Sequence, residues 1–342
     1  MRKVLVEDAV GFPLGHDITE IVPQKKKYRA FSRGHVITPE DIPHLMRLGK
    51  RHIYIWESND GLVHEDEASQ CMAMAAAGQG ISWTEPSQGR VNLKADFDGL
   101  LKVRVEQLNQ LNCIENIIFS TLHNHRQVNK DQLVAGTRIV PVAIERYHLE
   151  YAQRICSEPL PLMEVKPYSP LWVAVISTGS ELNNGLIRDG SVQVIRKKIA
   201  PFGGRWLGHV TVPDDADLIA MELQNFIAEG AQLILVTGGM SVDPDDVTPL
   251  GIRRSGVEVV FYGAPVLPGS QFLLAYQGNV AICGVPGGAL FSRRTTLDLL
   301  LPRIFCQDMI SRSDVVALGH GGFCEECPTC HFPLCPFGKA GC

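Results

Sequence analysis

The sequence predicts an α/β protein: a parallel or mixed sheet covered by helices on both faces. A β-rich α+β accessory region precedes it and a short cysteine-rich tail follows. Three observations carry that expectation. From about residue 170, apolar runs of strand length alternate with amphipathic helical stretches, as in strands buried on both faces. Before that point the β-like runs are short and interrupted by turns. Five of the ten cysteines fall in the last nineteen residues. The expected domains are therefore residues 1–160, 170–310 and 320–342, with Pro-rich "SEPLPLMEVKPYSP" (Ser157 to Pro170) as a linker.

Bulk properties narrow the function. At 342 residues the chain exceeds one ordinary core. A formal charge of -5 argues against a nucleic-acid binder, which would show a basic face. The one basic run, "QKKKYR" (Gln24 to Arg29), reads as a solvated loop. No run of about 18 apolar residues predicts a membrane span, and "MRKVLVEDAVG" lacks the apolar segment of a secretory signal. The expected compartment is the cytoplasm, where thiols stay reduced. Cys71, Cys113, Cys156, Cys283 and Cys306 are scattered and read as buried or inert.

The elements follow in order. "HVITPEDIPHLMRLGKRHIYIWE" reads as strand, helix and strand, with Thr38 as N-cap, Pro39 in the first turn and Gly49 as the stop. "EDEASQCMAMAAAGQG" predicts a helix ended by its glycines. "RVNLKADFDGLLKVRVEQLNQLN" predicts a hairpin around its "DG", then a short helix. "TRIVPVAIE" is a strand and "YHLEYAQRI" a helix. Beyond the linker come the strand "LWVAVIST", a helix from about Ser191, the stretch "RWLGHVTVP" and the helix "DADLIAMELQNFIAE". The strands "AQLILVT", "VEVVFYG" and "NVAICGVP" follow, then a long helix from about Gly288 to Phe305.

The chemistry gathers in loops that follow strands. In open α/β sheets, ligands sit beyond the carboxyl ends of the strands. "STGSEL", "VPDD", "TGGMSVDPDD" and "GVPGGALF" would all meet at that edge. Thr237-Gly238-Gly239 can bring bare amides against a phosphate because no Cβ intervenes, and the hydroxyls of Thr237 and Ser241 can add donors. Ser177 to Glu181 has a similar makeup. Asp214, Asp215, Asp243, Asp245 and Asp246 would repel an anion unless a cation such as Mg²⁺ lay between. The alternative is that Asp214 or Asp215 caps the following helix.

From about Leu171 to Ile304 the chain resembles the molybdenum-cofactor biosynthesis domain of molybdopterin adenylyltransferases and molybdopterin molybdotransferases. The resemblance rests on "VAVISTGSEL", "GLIRDG", "VPDD", "ILVTGGMSVDPDD", "GAPVLPGSQF" and "GVPGGALF", in the family's order. "VEDAVGFPLGHDIT" and "VAGTRIVPVAIE" resemble the accessory region of the molybdotransferase branch. The resemblance implies a three-layer domain that holds molybdopterin by its terminal phosphate. Thr237, Gly238 and Gly239 would cradle the phosphate, with Ser177, Thr178, Gly179, Glu181, Ser241, Pro268, Gly269, Pro286 and Gly287 around the ligand. Asp246 falls where both branches carry their essential acid, with Asp214 or Asp215 as a second acid and Asp243 and Asp246 toward Mg²⁺.

The departures from the family pattern are specific. No "MDGYA"-like segment occurs in the front region, and "DSN" reads Asp189-Gly190-Ser191. "KPGKP" reads Leu267-Pro268-Gly269-Ser270-Gln271, without either lysine; Arg293 and Arg294 could compensate. "PGNP" reads Pro286-Gly287-Gly288-Ala289.

In the tail, Cys324, Cys327, Cys330 and Cys335, with His331 among them, give C-x2-C-x2-C-x4-C-P. That is one residue longer than a ferredoxin-type run, and it also suits a zinc knot. Zinc and an iron–sulfur cluster are both open at this point, with a reactive or sulfur-carrying tail and an unstructured one as the alternatives to a metal site.

Three functions remain. The first is an enzyme of molybdenum-cofactor synthesis that uses ATP or the adenylate, Mg²⁺ and molybdate. The second is a carrier or sensor that delivers the cofactor to a molybdoenzyme. The third is a relative of nucleotide pyrophosphatases and amidases. The resemblance also implies a homo-oligomer, with a dimer favoured.

Overall fold

The computed structural model describes residues 1–22, 26–56, 61–183, 189–241, 243 and 246–339. Most of "GLIRDG", together with Asp245 and Cys342, lies outside the described residues. The chain divides into two compact units. The first comprises residues 1–94, 104–122 and 133–164; the second comprises 95–103, 123–132 and 165–342.

The first unit is β-rich, with short antiparallel pairs. Arg2–Leu5 pairs with His52–Ile55, and Ile18–Val22 pairs with Lys26–Phe31. The described part of the basic run is therefore a strand, not a loop. Val6, Leu14, Ile18, Ile37, Leu45, Ile53 and Ile55 close a small core there. A four-stranded sheet uses Ile81–Trp83, Arg90–Ala95, Leu133–Ile139 and Ile117–Thr121, in that order apart from the last pair's place in the chain. The helices Glu65–Ala76 and Arg146–Ser157 form where the sequence predicts them.

The expected linker, Ser157 to Pro170, contains the strand Met163–Pro167, which joins a three-stranded sheet. Two further expectations in the front half fail for local reasons. The helix begins at Ile42, not after Thr38. The Asp41 carboxylate accepts from the Thr38 amide and hydroxyl, both at 2.9 Å, and lies 2.7 Å from His35 Nε2, so Thr38–Asp41 forms a turn ahead of the helix. The "DG" hairpin is absent as well. Arg90–Ala95 pairs with Leu133–Ile139, whereas Gly99–Val103 pairs with Arg126–Val128 and lies beside Met163–Pro167. Gly99 serves close approach rather than a turn, since a Cβ there would fall on the Lys166 carbonyl.

The second unit holds a six-stranded mixed sheet. Its strands are β1 (Trp172–Thr178), β2 (Arg205–Val212), β3 (Leu233–Thr237), β4 (Glu258–Tyr262), β5 (Leu273–Gln277) and β6 (Val280–Val285), in the order β2-β1-β3-β6-β5-β4. The β2-β1-β3-β6 run is parallel, and β5 is antiparallel to both its neighbours. β5 was not read from the sequence, and it makes the sheet mixed.

Alternate residues serve the two faces. Val173, Val175, Leu233, Leu235 and Cys283 pack with α1 (Ser191–Ile199) and α4 (Thr296–Phe305). Ala174, Ile176, Ile234, Val236 and Ile282 pack with α2 (Ala216–Ala228) and α3 (Thr248–Arg254). Each fully buried aliphatic side chain contributes roughly 1.5–3 kcal/mol, which is why these runs are apolar at every position.

The long helix predicted from Gly288 is two helices, Gly288–Phe291 and α4. A capping box makes the break: Asp298 accepts from the Thr295 amide at 2.8 Å, and the Thr295 side chain takes the third amide of α4. The tail joins this unit's core. Phe337 is buried there, and Phe332, Cys324 and Cys335 pack against it.

Candidate functional site

Parallel register brings the strand ends together. Thr178 lies opposite Val212, Ser177 opposite Thr237, and Thr237 opposite Val285. The loops after β1, β2, β3 and β6 therefore leave one edge of the sheet side by side. Tyr262 faces Leu273, which faces Gly284, so the 263–272 loop leaves the same edge.

Two glycines after β3 form the centre of this rim. Gly238 and Gly239 have φ of 91° and 53°, a conformation that disfavours side chains. A Cβ on Gly238 would collide with the Thr178 carbonyl oxygen, and one on Gly239 would stand 2.7 Å from Thr248 Oγ1. Among the described residues, no backbone acceptor takes the Gly238 or Gly239 amide. Thr248 donates its own amide to the Gly239 carbonyl at 3.2 Å, which folds the acidic loop back onto the glycines. Within that loop the Asp246 amide donates to the Asp243 carbonyl at 3.0 Å. Ser241 and Asp243 are exposed, and Asp246 is half-buried.

The flanking hydroxyls are engaged with one another. Ser177, fully buried, donates to Asp189 Oδ2 at 2.6 Å; its oxygen lies 3.1 Å from Ser191 Oγ and 3.0 Å from His209 Nε2, and Thr237 donates to it at 3.3 Å. Asp189 also lies 2.9 Å from His209 Nε2 and accepts from the Ser191 amide at 2.8 Å. Burial pushes the Asp189 carboxyl up, but hydrogen bonds from Ser177 and Ser191 and the charge of His209 outweigh it. The carboxyl is held below its usual value. Thr178, also buried, places Oγ1 3.1 Å from Thr248 Oγ1.

The other candidates divide. Asp214 accepts from the Ser180 amide at 2.9 Å and hydroxyl at 3.1 Å, locking the loop after β1, where Gly179 donates to Val212 and Glu181 lies in the short helix Ser180–Asn183. Asp215 caps α2, accepting from the Asp217 and Leu218 amides at 2.8 and 3.1 Å. Pro286 is buried and Gly287 exposed at the turn into Gly288–Phe291. The Pro268–Gly269 segment docks elsewhere on the same side, with Thr296 donating to the Gly269 carbonyl at 2.7 Å.

Sequence reasoning missed His209, Thr248 and Lys198. Lys198 donates to both oxygens of Asp298 at 2.8 Å, and Arg294 reaches the same carboxylate at 3.1 Å. They line a recess of about 410 Å³ with Lys197, Arg293 and Phe202, next to Ala289 and Ser292. The four cations outnumber the one carboxylate. Arg293 and Arg294, read from the sequence as possible replacements for the missing lysines, line this recess, and the lysine pair "KK" in α1 was the other hint.

The four tail cysteines line a separate cavity described below. Among the described residues, no three His, Cys, Asp or Glu side chains gather closely enough to hold a single metal ion. Mg²⁺ needs less from the protein, because it takes one or two carboxylates together with substrate phosphates and keeps several waters. Asp243 and Asp246, adjacent across one turn, fit that modest demand.

A doubly covered sheet with its polar loops on one edge defines a ligand-binding α/β domain. Residues 174–305 match the model of the family described as "Probable molybdopterin binding domain", and this segment is a molybdenum-cofactor biosynthesis domain. Residues 3–57 match a "Domain of unknown function (DUF8806)".

Among curated relatives, the molybdopterin molybdenumtransferase of Synechococcus elongatus is 28% identical over 182 residues, which cover 50% of this chain and 42% of that protein. The Haemophilus influenzae molybdopterin molybdenumtransferase is 25% identical over 269 residues, covering 71% and 63%. A CinA-like protein of Citrifermentans bemidjiense is 40% identical over 88 residues, covering 25% and 21%. The chain thus spans less than half the length of the Synechococcus relative. Among solved structures, the molybdopterin biosynthesis enzyme MoaB of Thermus thermophilus superposes with a TM-score of 0.33 at 23% identity, covering 39% of this chain and 91% of that one.

Among the described residues no helix is long and apolar enough to cross a membrane.

Proposed function

We propose that the second unit binds molybdopterin or its adenylate by the terminal phosphate and catalyses Mg²⁺-dependent transfer of AMP or molybdate. One observation carries the reading: the Gly238 and Gly239 amides stand at the centre of the rim, and the Thr248 amide ties the chain just after Asp246 to the Gly239 carbonyl. Glycines without a Cβ leave these amides open to a phosphate.

Ser177, Thr178, Thr237 and Asp214 then act by holding the loops in register rather than by reaching the ligand. Preorganised amides contribute most when nothing must rearrange on binding. Asp246 is the residue assigned to the reacting phosphoryl group, with Asp243 beside it for the cation. Mg²⁺, when bound, neutralises phosphate charge and orients the attacking and leaving oxygens. The cationic recess around Lys198 and Arg294 offers the positive field that Leu267–Gln271 does not. The finer parts of this reading are ATP or adenylate and molybdate as co-substrates, a homodimer in the cytoplasm, and a metal in the tail.

A carrier that hands cofactor to a molybdoenzyme is the second reading. It is favoured by one observation: Asp215 is committed to capping α2 and Asp214 to Ser180, so neither is poised as the second acid. Purified protein given molybdopterin, Mg²⁺ and ATP, then the adenylate and molybdate, separates the two. The enzyme reading expects turnover that Asp246→Asn lowers by about 10²–10³-fold while pterin affinity holds. Tight pterin binding without turnover selects the carrier, and absence of pterin binding overturns both.

A further inference from the structure

We propose that the cavity walled by the tail is the seat of a [4Fe–4S] cluster ligated by Cys324, Cys327, Cys330 and Cys335. All four residues line one cavity of about 350 Å³. That space far exceeds a single ion, on a scale where a water molecule occupies about 30 Å³. A cubane places its irons at separate corners and takes its thiolates from around a volume, so four cysteines that line one cavity suit it.

The spacing agrees. C-x2-C-x2-C supplies three ligands from one short run, and a fourth cysteine followed by proline completes the ferredoxin-type pattern. Here the last gap is one residue longer. The extra residue is taken up in a turn, where the Leu334 amide donates to the His331 carbonyl at 2.7 Å. In two-cluster ferredoxins the fourth cysteine serves the other cluster; in this chain Cys335 lines the same cavity as the first three.

The walls suit a cluster. Phe332 and Phe337, packed with the domain core, supply apolar wall on one side, while Phe291 and Phe323 are exposed. A common cubane core with four thiolates carries a net charge of about −2; Arg293 and Arg294 line the cavity, as do Glu325 and Glu326. Arg293 donates to the Cys327 and Pro328 carbonyls at 3.3 and 2.7 Å, fixing the first ligand loop, and Arg294 lies 4.8 Å over the Phe332 ring.

The scaffold is already held. Leu267 donates to Gly322 and Cys324 donates to Leu267, both at 2.8 Å, and Phe337 is buried in the domain core. The ligands therefore do not depend on the metal to bring the tail together.

Full-length protein prepared without oxygen, then reconstituted with ferrous iron and sulfide, tests the assignment. The expected product is brown, with broad visible thiolate-to-iron absorbance and about four iron and four sulfide per chain. Cys330→Ser and Cys335→Ser should each lower bound iron several-fold, while His331→Ala should leave it unchanged. One tightly bound zinc per chain, about two irons, or no retained metal would each overturn the cubane. Loss of iron in His331→Ala would overturn the ligand set. This inference stands apart from the pterin reading: iron without pterin binding removes only the latter, and pterin binding without iron removes only the former.

Discussion

The rim and the tail cavity lie in the same unit, yet they use their polar residues in opposite ways. At the rim, nearly every side chain that suggests chemistry also has a structural partner. Ser177 joins Asp189, Ser191, His209 and Thr237; Thr178 meets Thr248; Asp214 holds Ser180; Asp215 caps α2. What is left for a ligand is backbone, exposed by glycine. Among the described residues of the tail, Cys324, Cys327, Cys330 and Cys335 form no disulfide and line an open volume. Changes at the rim should therefore cost stability before they reveal a function, whereas a change at the exposed Cys330 should cost metal and little else.

Gly238→Ala should be the most damaging of these changes. The new Cβ would need a φ of 91° and would strike the Thr178 carbonyl, a backbone atom that cannot move without disturbing β1. A loss of about 3 kcal/mol is expected from strain and displacement together. Urea denaturation would show it as a fall in midpoint at unchanged slope. A neutral outcome would mean that the two loops are not held together as the geometry indicates.

Ser177→Ala comes next, at about 1–2 kcal/mol, because it removes a buried donor from the Asp189 carboxylate. The effect should depend on pH. The Asp189 carboxyl sits below its unfolded value, so the stability it contributes is present above about pH 4 and is lost as pH falls through the lower folded pKa. Removing the Ser177 hydrogen bond raises that folded pKa and shrinks the acid-dependent part. Stability curves of the two proteins should therefore converge on acidification. Parallel curves would exclude Asp189 as the group responsible.

These partners also mark where sequence reading stops. The convergence of loops was legible, because "LWVAVIST" and "AQLILVT" are apolar at nearly every position and can only be strands covered on both faces. The glycines after Thr237 were legible for a similar reason, since few residues tolerate their conformation. The meeting of His209 with Ser177 was not. It depends on the register of β2 against β1, which includes a shift between Val173 and Ala174 that no local pattern announces. Lys198 and Asp298 are a hundred positions apart and find each other only because α1 and α4 cover the same face. The "DG" of Asp98-Gly99 misled because Gly99 is needed for contact with Lys166, not for a turn. In the tail the cysteine spacing was plain, but the packing of Phe337 into the domain core was not.

Asp215→Ala sharpens the comparison from the acidic side. It removes a capping carboxylate that accepts from two amides of α2, worth about 1 kcal/mol. If capping is its whole contribution, Asp215→Ser should recover most of the stability, since serine is a comparable cap, and turnover or pterin binding should follow stability. A Ser variant that folds normally but loses function would return Asp215 to the ligand site.

Cys330→Ser, measured in metal-free protein, should change least. The side chain is exposed and substitution removes no buried packing, so stability should stay within about 0.5 kcal/mol of the parent. The same substitution should be costly once a metal is loaded, because a ligand that binds only the folded state adds its binding free energy to folding. The informative quantity is therefore the difference between the two measurements. A small metal-free effect with a large loaded one places the sulfur in the cavity's chemistry. A large metal-free effect would mean that the tail cysteines are engaged in packing as the rim hydroxyls are, and the contrast between the two regions would be lost.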